Sequence, residues 1–232
     1  GFGDAINFGA KKIKTNFFLA ITHDVILKKN TLKYLISCAE KNPEFGIIGP
    51  NYTNIKINYG SSYPYLETIL GSAMFFDTKR FFRIGGFDKN FFMYYEDNDI
   101  CQRAKINKYQ LIFCKKSMVE HSEKSKKSIP HAIYKEINEY KRNFHYMRSY
   151  FYYNKKYRGK FIATIVSFPI LIRSIVKFYF FKLVKNNLKK NIYHSRLNGL
   201  IYSFLEIYYE KNKNSCYRWI WFYRNQFNKL FE

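Results

Sequence analysis

The alternation of short apolar runs with helical segments in the first half of the chain constrains its fold more than any other feature. Apolar runs of strand length lie at 17–22, 45–50, 72–77 and 109–114. The segments between them carry the spacing and end signals of helices. Helices are predicted at 4–13, 30–41, 78–84, 96–107 and 130–153. This order is typical of an α/β fold, and we predict one with a largely parallel sheet.

The sequence changes character near residue 126. Residues 1–125 hold 18 Lys and Arg against 12 Asp and Glu, whereas residues 126–232 hold 22 against 5, so most of the formal charge of +23 lies in the second half. Carboxylates serve catalysis, and Lys and Arg bind anionic surfaces. We therefore predict a catalytic part at 1–125 and a basic, aromatic, helical docking part at 126–232.

The second half carries two segments of membrane character. Residues 161–184 are strongly apolar, but their longest uncharged stretch has 12 residues, fewer than the roughly 20 that a membrane span needs. Arg173 and Lys177 fall on one face of the predicted helix, which favours a helix lying in the bilayer interface. Residues 216–231 mix Trp, Tyr and Phe with Arg and Lys, a composition that suits headgroup depth.

The four cysteines, at positions 38, 101, 114 and 216, form no CxxC pair. This spacing favours reduced thiols over a disulfide framework or a zinc site.

An aspartate and a histidine follow two of the predicted strands. Asp24 stands just after the run at 17–22, where open α/β sheets bind ligands, and such a carboxylate can hold a metal that bridges a diphosphate. His121 follows the run at 109–114 and is a candidate second metal ligand. A turn or helix N-cap aspartate and a surface histidine remain open as alternatives.

Three carboxylates open the predicted helix at 96–107. Glu96, Asp97 and Asp99 repel one another there, although the positive helix end offsets part of this repulsion. A Gly-Gly-Phe-Asp segment ending at Asp88 and an aromatic run at 91–95 precede them. A carboxylate beside apolar walls can act as a general base on a hydroxyl. An acidic N-cap cluster beside an aromatic core is the alternative, and the order of glycines, aromatics and acids favours a site.

In this order the segments resemble the family 2 glycosyltransferases, in particular the rhamnosyltransferase-like branch of cell-surface polysaccharide synthesis. The match covers about residues 1–125. The matching elements are Gly1 to Gly9, His23 to Val25, Gly46 to Pro50, Gly71 to Met74, Gly85 to Asp88, Phe91 to Tyr94, Glu96-Asp97-x-Asp99 with Arg103, and His121. The resemblance implies an incomplete GT-A fold, Rossmann-like with a mostly parallel sheet, followed by a basic α-helical region.

The resemblance also implies site residues and their roles. Asp24 and His121 would hold Mg²⁺ or Mn²⁺ at the donor diphosphate. Asp97, with Glu96 as the alternative, would be the general base of an inverting, one-step displacement. The further residues expected to contact substrates are Gly71, Ser72, Asp88, Tyr94, Asp99 and Arg103.

The partners implied by the resemblance are a nucleotide-sugar donor and a lipid-linked or surface-polysaccharide acceptor. With the basic second half, they predict a peripheral enzyme on the anionic cytoplasmic face of the inner membrane. The sequence departs from the family pattern in two ways. Thr22-His23 replaces the usual Asn-Pro before the metal aspartate, and the family's base-binding segment is missing before Gly1. We therefore expect an N-terminally truncated chain that is inactive alone, and a full-length hexosyl- or rhamnosyltransferase.

Two other classes of function are open on the sequence. The chain could be a non-catalytic basic protein that binds membranes or nucleic acid, or a degenerate pseudo-glycosyltransferase. Nucleic acid is not expected, because the apolar runs exceed what a nucleic-acid groove needs and no RNA-binding signature is present. Decay of the chemistry is disfavoured by the presence of Asp24, Glu96, Asp97 and His121.

Overall fold

The computed structural model describes residues 1–54, 64–121 and 132–209, with the backbone alone at 132–137 and 206–209. The elements in chain order are α1 (Phe2–Ala10), β1 (Phe17–Ile21), β2 (Val25–Leu27), α2 (Thr31–Lys41), β3 (Phe45–Tyr52), β4 (Ala73–Asp77), α3 (Thr78–Arg83), α4 (Glu96–Ile106), β5 (Gln110–His121), α5 (Ala132–Leu183) and α6 (Asn187–Tyr209). The predicted α/β part followed by a helical region is confirmed.

The sheet is mixed, so the prediction of a mostly parallel sheet is wrong. Its strand order is β1-β4-β3-β5-β2. Among the described strands, only β3 and β5 pair in parallel, whereas β1–β4, β3–β4 and β2–β5 are antiparallel. The pairings show that β1, β3 and β5 do run in one direction. However, β4 returns between β1 and β3, and the three-residue β2 closes the other edge.

The central strands are buried along nearly their whole length. All but one residue of β3 and all but one of β4 are inaccessible to solvent, which explains why they read as continuous apolar runs rather than alternating ones. One face of the sheet packs on α2 through Leu35, Phe45 and Ile48. The opposite face packs on α1, α3 and α4 through a larger apolar cluster that includes Phe76 and Ile100.

Strand β5 is longer than its apolar run. The run ends at Cys114, and residues 115–117 bulge out, because Pro50 pairs with Cys114 while Asn51 pairs with Met118. Beyond the bulge, β5 continues to His121, where it pairs with β2. The bulge therefore carries the strand on to the end of the sheet where β1 and β3 also finish.

The C-terminal helices form a packed pair. Helix α5 is interrupted at Gly159, whose φ of 82° leaves helical space, and this divides it into a first arm (132–158) and a second arm (160–183). The predicted helices at 130–153 and 161–184 correspond to these arms. Side chains of both arms, including Phe151 and Ala163, cluster with Leu200 of α6. The predicted boundary at 125/126 and the segment 216–231 lie outside the described residues.

Candidate active site

Asp24 sits in the turn that joins β1 to β2. Its Oδ1 accepts a hydrogen bond of 2.5 Å from the Thr22 hydroxyl, and its Oδ2 lies 3.5 Å from Nε2 of His121. Pairing of Val25 with His121 in the β2–β5 ladder creates this proximity. Partial burial raises the pKa of Asp24, but the Thr22 hydrogen bond and the His121 ring outweigh it, so the pKa lies below its ordinary value. The Asp24 carboxylate is therefore ionised at neutral pH.

Glu96 and Asp97 open α4 after an unusual backbone. Tyr94 and Tyr95 have φ values of 68° and 66°, in the left-handed region that non-glycine residues enter at a cost of about 1 kcal/mol each. Such strain concentrates at functional sites. It turns the chain so that both acids are presented at the positive end of α4.

The two acids differ in their partners. Asp97 Oδ2 accepts from the Gly71 amide at 3.1 Å, and its Oδ1 accepts from the Asn98 amide at 2.8 Å. Glu96 Oε2 is buried with no hydrogen-bond partner among the described residues. Burial raises the pKa of Asp97, and burial with the Asp97 charge raises the pKa of Glu96 to about 7.

Gly71 and Ser72 connect the Asp24–His121 pair to the acids at the start of α4. The Gly71 amide holds Asp97, and the Ser72 carbonyl accepts from the Thr22 amide at 3.0 Å, next to Asp24. The Ser72 hydroxyl also bonds the Tyr52 phenol at 2.6 Å. Burial raises the pKa of Tyr52 to about 12, and the charges of Asp97 and Asp24 add to this rise. The structure thus brings together the ends of β1, β3 and β5, the start of β4 and the start of α4.

Asp99 does not join this group. It has no exposed surface. Its Oδ2 accepts from Arg103 at 2.9 and 2.6 Å, and its Oδ1 accepts from Lys156 Nζ at 2.5 Å and from the Tyr157 hydroxyl at 2.7 Å. Both oxygens are bound by protein donors, so Asp99 ties α4 to α5 in this structure. Its predicted contact with substrate stays a prediction.

The other predicted substrate contacts face α5 or α1. Asp88 accepts from Lys156 at 2.8 Å and from the Tyr152 hydroxyl at 3.1 Å, and the Tyr94 hydroxyl accepts from Arg142 at 2.9 Å. Asp88 and Arg103 also line an open groove of about 600 Å³ beside α1. None of the residues lining this groove belongs to the group around Gly71 and Ser72. A substrate role for these residues stays a prediction.

Some of the neighbours were not foreseen from the sequence. Tyr52 lies beyond the predicted apolar run at 45–50, and only the extension of β3 brings it within hydrogen-bond distance of Ser72. Thr22 was noted as a departure from a motif, yet its hydroxyl holds Asp24. Lys156 lies 57 residues beyond Asp99, and no local pattern links the two.

A divalent metal fits the Asp24–His121 pair. The described residues contain no group of three or more His, Cys, Asp or Glu side chains arranged for a metal. Mg²⁺ is commonly bound by one or two carboxylates together with substrate phosphates. One carboxylate and one imidazole are therefore enough protein ligands when a diphosphate supplies the remaining oxygen ligands. Both side chains keep access to solvent, at 17% and 31% exposure.

Part of the chain matches a known protein family. A family model described as the N-terminal domain of galactosyltransferase matches residues 54–128, about a third of the chain, a stretch that includes Gly71, Asp97 and His121. No curated protein sequence matches the chain.

Solved structures do match. A mannosyltransferase, PcManGT from Pyrobaculum calidifontis in complex with GDP-Man and Mn²⁺, has a TM-score of 0.52 at 11% identity. This chain is covered over 89% of its length and spans 67% of that protein. GalNAc-T7, solved with UDP, GalNAc and Mn²⁺, has a TM-score of 0.47 at 13% identity. That match includes 92% of this chain and 44% of GalNAc-T7. The match to the mannosyltransferase structure confirms the GT-A-like fold.

Proposed function

We propose that this glycosyltransferase-like chain is the metal- and acceptor-binding part of an inverting enzyme. The reaction moves a sugar from a nucleotide sugar to a hydroxyl of a lipid-linked or surface-polysaccharide acceptor. The observation that carries the proposal is the convergence of the Asp24–His121 pair and Asp97 on Gly71 and Ser72. The GT-A-like fold and the family match over 54–128 support it.

Asp97 is the proposed general base. Burial raises its pKa, which makes the carboxylate a stronger base near neutral pH. The amides of Gly71 and Asn98 hold its two oxygens in a fixed orientation. Asp97 accepts the proton of the acceptor hydroxyl while the acceptor oxygen bonds the anomeric carbon and the bond to the donor diphosphate breaks.

Asp97 is preferred to Glu96 because of its position. Asp97 contacts Gly71, and its charge acts on Tyr52, as does that of Asp24. Among the described residues, Glu96 Oε2 has no hydrogen-bond partner, and burial together with the Asp97 charge raises the pKa of Glu96 to about 7. Glu96 is therefore partly protonated at neutral pH, and we assign it the role of lowering the negative charge beside the base.

Asp24 and His121 are the proposed metal ligands. The low pKa of Asp24 keeps the carboxylate ionised, and the Thr22 hydroxyl orients it. A bound Mg²⁺ or Mn²⁺ would supply charge neutralisation for the diphosphate leaving group. The complex of PcManGT with GDP-Man and Mn²⁺ supports a donor of this class. A rhamnosyl donor remains part of the proposal from the sequence resemblance.

The test is a transfer assay on the gene product in its longest in-frame form. UDP-, GDP- and dTDP-sugars are screened with lipid-linked oligosaccharide acceptors, and release of the nucleoside diphosphate is measured. We expect Asp97→Asn to lower kcat by roughly 10² to 10⁴-fold, and Glu40→Gln, an exposed carboxylate on α2, to leave it unchanged. Full activity in Asp97→Asn would remove Asp97 from the base role, and absence of transfer from every donor would overturn the proposed function.

A further inference from the structure

We propose that the second arm of α5 docks on an anionic lipid bilayer and lies in its interface. This inference goes beyond sugar transfer and does not depend on it. It rests on the side of the helix that faces solvent, on the composition of the residues around that side and on the packing of α6 behind it.

The solvent-facing side of the second arm is apolar along its whole length. Seven large side chains, spaced three or four residues apart, form one stripe and are each at least 46% exposed. This apolar stripe consists of Phe161, Ile165, Phe168, Ile172, Val176, Tyr179 and Leu183. It is about 33 Å long at 1.5 Å per residue, and contiguous exposed apolar surface of this size marks an interaction site.

The opposite side of the arm is already occupied. Ala163, Ser167 and Ser174 are buried, and Phe181 and Lys177 contact Tyr193 of α6. Small side chains on this side allow the two helices to approach closely. Helix α6 therefore covers one side of the arm, where Ile170 and Leu171 also pack, and leaves the apolar stripe to solvent, whereas a helix of a soluble protein turns its apolar side to the core.

The charge around the stripe selects an anionic partner. Residues 160–205 contain eight Lys and Arg and no Asp or Glu. A second copy of this chain would bring the same unbalanced positive charge to the contact, which disfavours pairing of two stripes. Anionic phospholipids offer both an apolar interior for the stripe and negative headgroups for the lysines that flank it.

The arrangement favours lying in the interface over crossing the bilayer. The helix that contains the stripe is long and apolar enough to cross, with a best window of mean hydropathy 1.8 within Asn138–Leu183. However, Arg173 lies midway along the arm, beside the stripe, and is exposed, so crossing would carry a guanidinium to the bilayer centre. Crossing would also draw in α6, which carries Lys189, Lys190 and Arg196.

Vesicle flotation of the full chain tests the proposal. We expect binding to vesicles of phosphatidylcholine with phosphatidylglycerol and much weaker binding to phosphatidylcholine alone. The combined substitutions Ile165→Gln, Ile172→Gln and Val176→Gln should weaken binding at least about 100-fold, because each removes exposed apolar surface. The matched control combines Leu32→Gln, Ile36→Gln and Ile106→Gln, whose parent side chains are 42% to 61% exposed on α2 and α4; it should bind like the parent.

Each result decides one part of the proposal. Circular dichroism melting checks the folding of both triple variants. We expect both to be folded, because all six substituted side chains are exposed. Equal binding of the stripe variant and the control would overturn the stripe as the contact, and equal binding to neutral vesicles would overturn the anionic partner. Resistance of the bound protein to alkaline carbonate would overturn the interfacial orientation. A lipid-free dimer by light scattering that only the stripe variant loses would assign the stripe to a second copy.

Discussion

At the scale of single residues, the site separates carboxylates by their surroundings. Asp24 has a lowered pKa because a hydroxyl and an imidazole contact it, whereas burial raises the pKa of Asp97 and Glu96. Groups of one chemical type held at different pKa values are the usual means of dividing roles in a site. In the proposed mechanism the division is between an anionic metal ligand, Asp24, and a base, Asp97.

Glu96 makes the stability of the protein depend on pH. Its pKa rises from 4.5 in the unfolded chain to about 7 in the fold, so folding takes up a proton between these values and stability is lost as the pH rises through that window. Glu96→Gln should therefore melt at a higher temperature than the parent at pH 8 and at a similar temperature near pH 4. Thermal unfolding at both pH values, with Glu40→Gln as control, measures this; a difference that does not vary with pH would contradict it.

Gly71 lies so close to Asp97 that a side chain at position 71 would crowd the carboxylate. A Cβ on Gly71 would lie 3.1 Å from Asp97 Cβ and 3.3 Å from its Oδ2, tighter than ordinary contact. We expect Gly71→Ala to displace the carboxylate and to lower kcat at least about tenfold. In Gly9→Ala the new methyl meets nothing within 4 Å and should stabilise α1 by about 0.5–1 kcal/mol without loss of activity. Unchanged kcat in Gly71→Ala would show that the Asp97 orientation is not required.

Asp24 can be tested without catalysis. Removing its charge in Asp24→Asn should weaken Mn²⁺ binding by about 10 to 100-fold, because the carboxylate is the only anionic group of the proposed pair. Mn²⁺ titration followed by electron paramagnetic resonance measures the affinity directly. Asp4→Asn, an exposed aspartate on α1, serves as control, and equal affinities of the two variants would exclude Asp24 as a ligand.

At the scale of elements, the first arm of α5 clamps the segment that ends at Glu96. Besides the bonds to Asp88, Tyr94 and Asp99, the Ser149 hydroxyl donates to the Met93 carbonyl at 2.8 Å, and Arg148 donates to the Asn90 carbonyl at 3.2 Å. Tyr95 packs among three tyrosines of the same arm. The strained turn before the acids is therefore held from the side of the helical region.

Lys156 is central to this clamp. Its ammonium bridges Asp88 and the fully buried Asp99. Lys156→Met should destabilise the fold by about 2 kcal/mol rather than more, since Arg103 still neutralises Asp99. Urea unfolding measures this, with Lys141→Met, an exposed lysine of the same arm, as control. Equal unfolding midpoints for the two variants would show that the bridge adds nothing to stability.

At the scale of the whole molecule, the sheet and the helical region meet at the turn that carries Glu96 and Asp97, here called the acid turn. Asp24, His121, Gly71 and Ser72 lie at one end of the sheet, where β1 and β5 finish and β4 begins. The helical region holds the segment that carries Glu96 and Asp97. The second arm of α5 continues from the same helix into the apolar stripe. A bilayer bound to the stripe would therefore be connected to the acid turn through α5, with α6 packed against both arms.

The sequence alone determined the elements and the residue types of the site. The positions of β1, β3, β4, α2 and α4 follow from local apolar spacing, which is a property of neighbouring residues and can be read from them. The acids after a strand and at the start of a helix were found for the same reason. The apolar and basic character of 161–184 was also evident without coordinates.

Only the tertiary structure decided which of these residues meet. Strand order depends on pairing between distant segments, so the return of β4 between β1 and β3 could not be read from spacing. The bulge at 115–117 decides that His121 faces the Asp24 turn. Asp99 looked like its neighbours in sequence, but helical geometry turns it away from Asp97 and toward Lys156, a partner far along the chain.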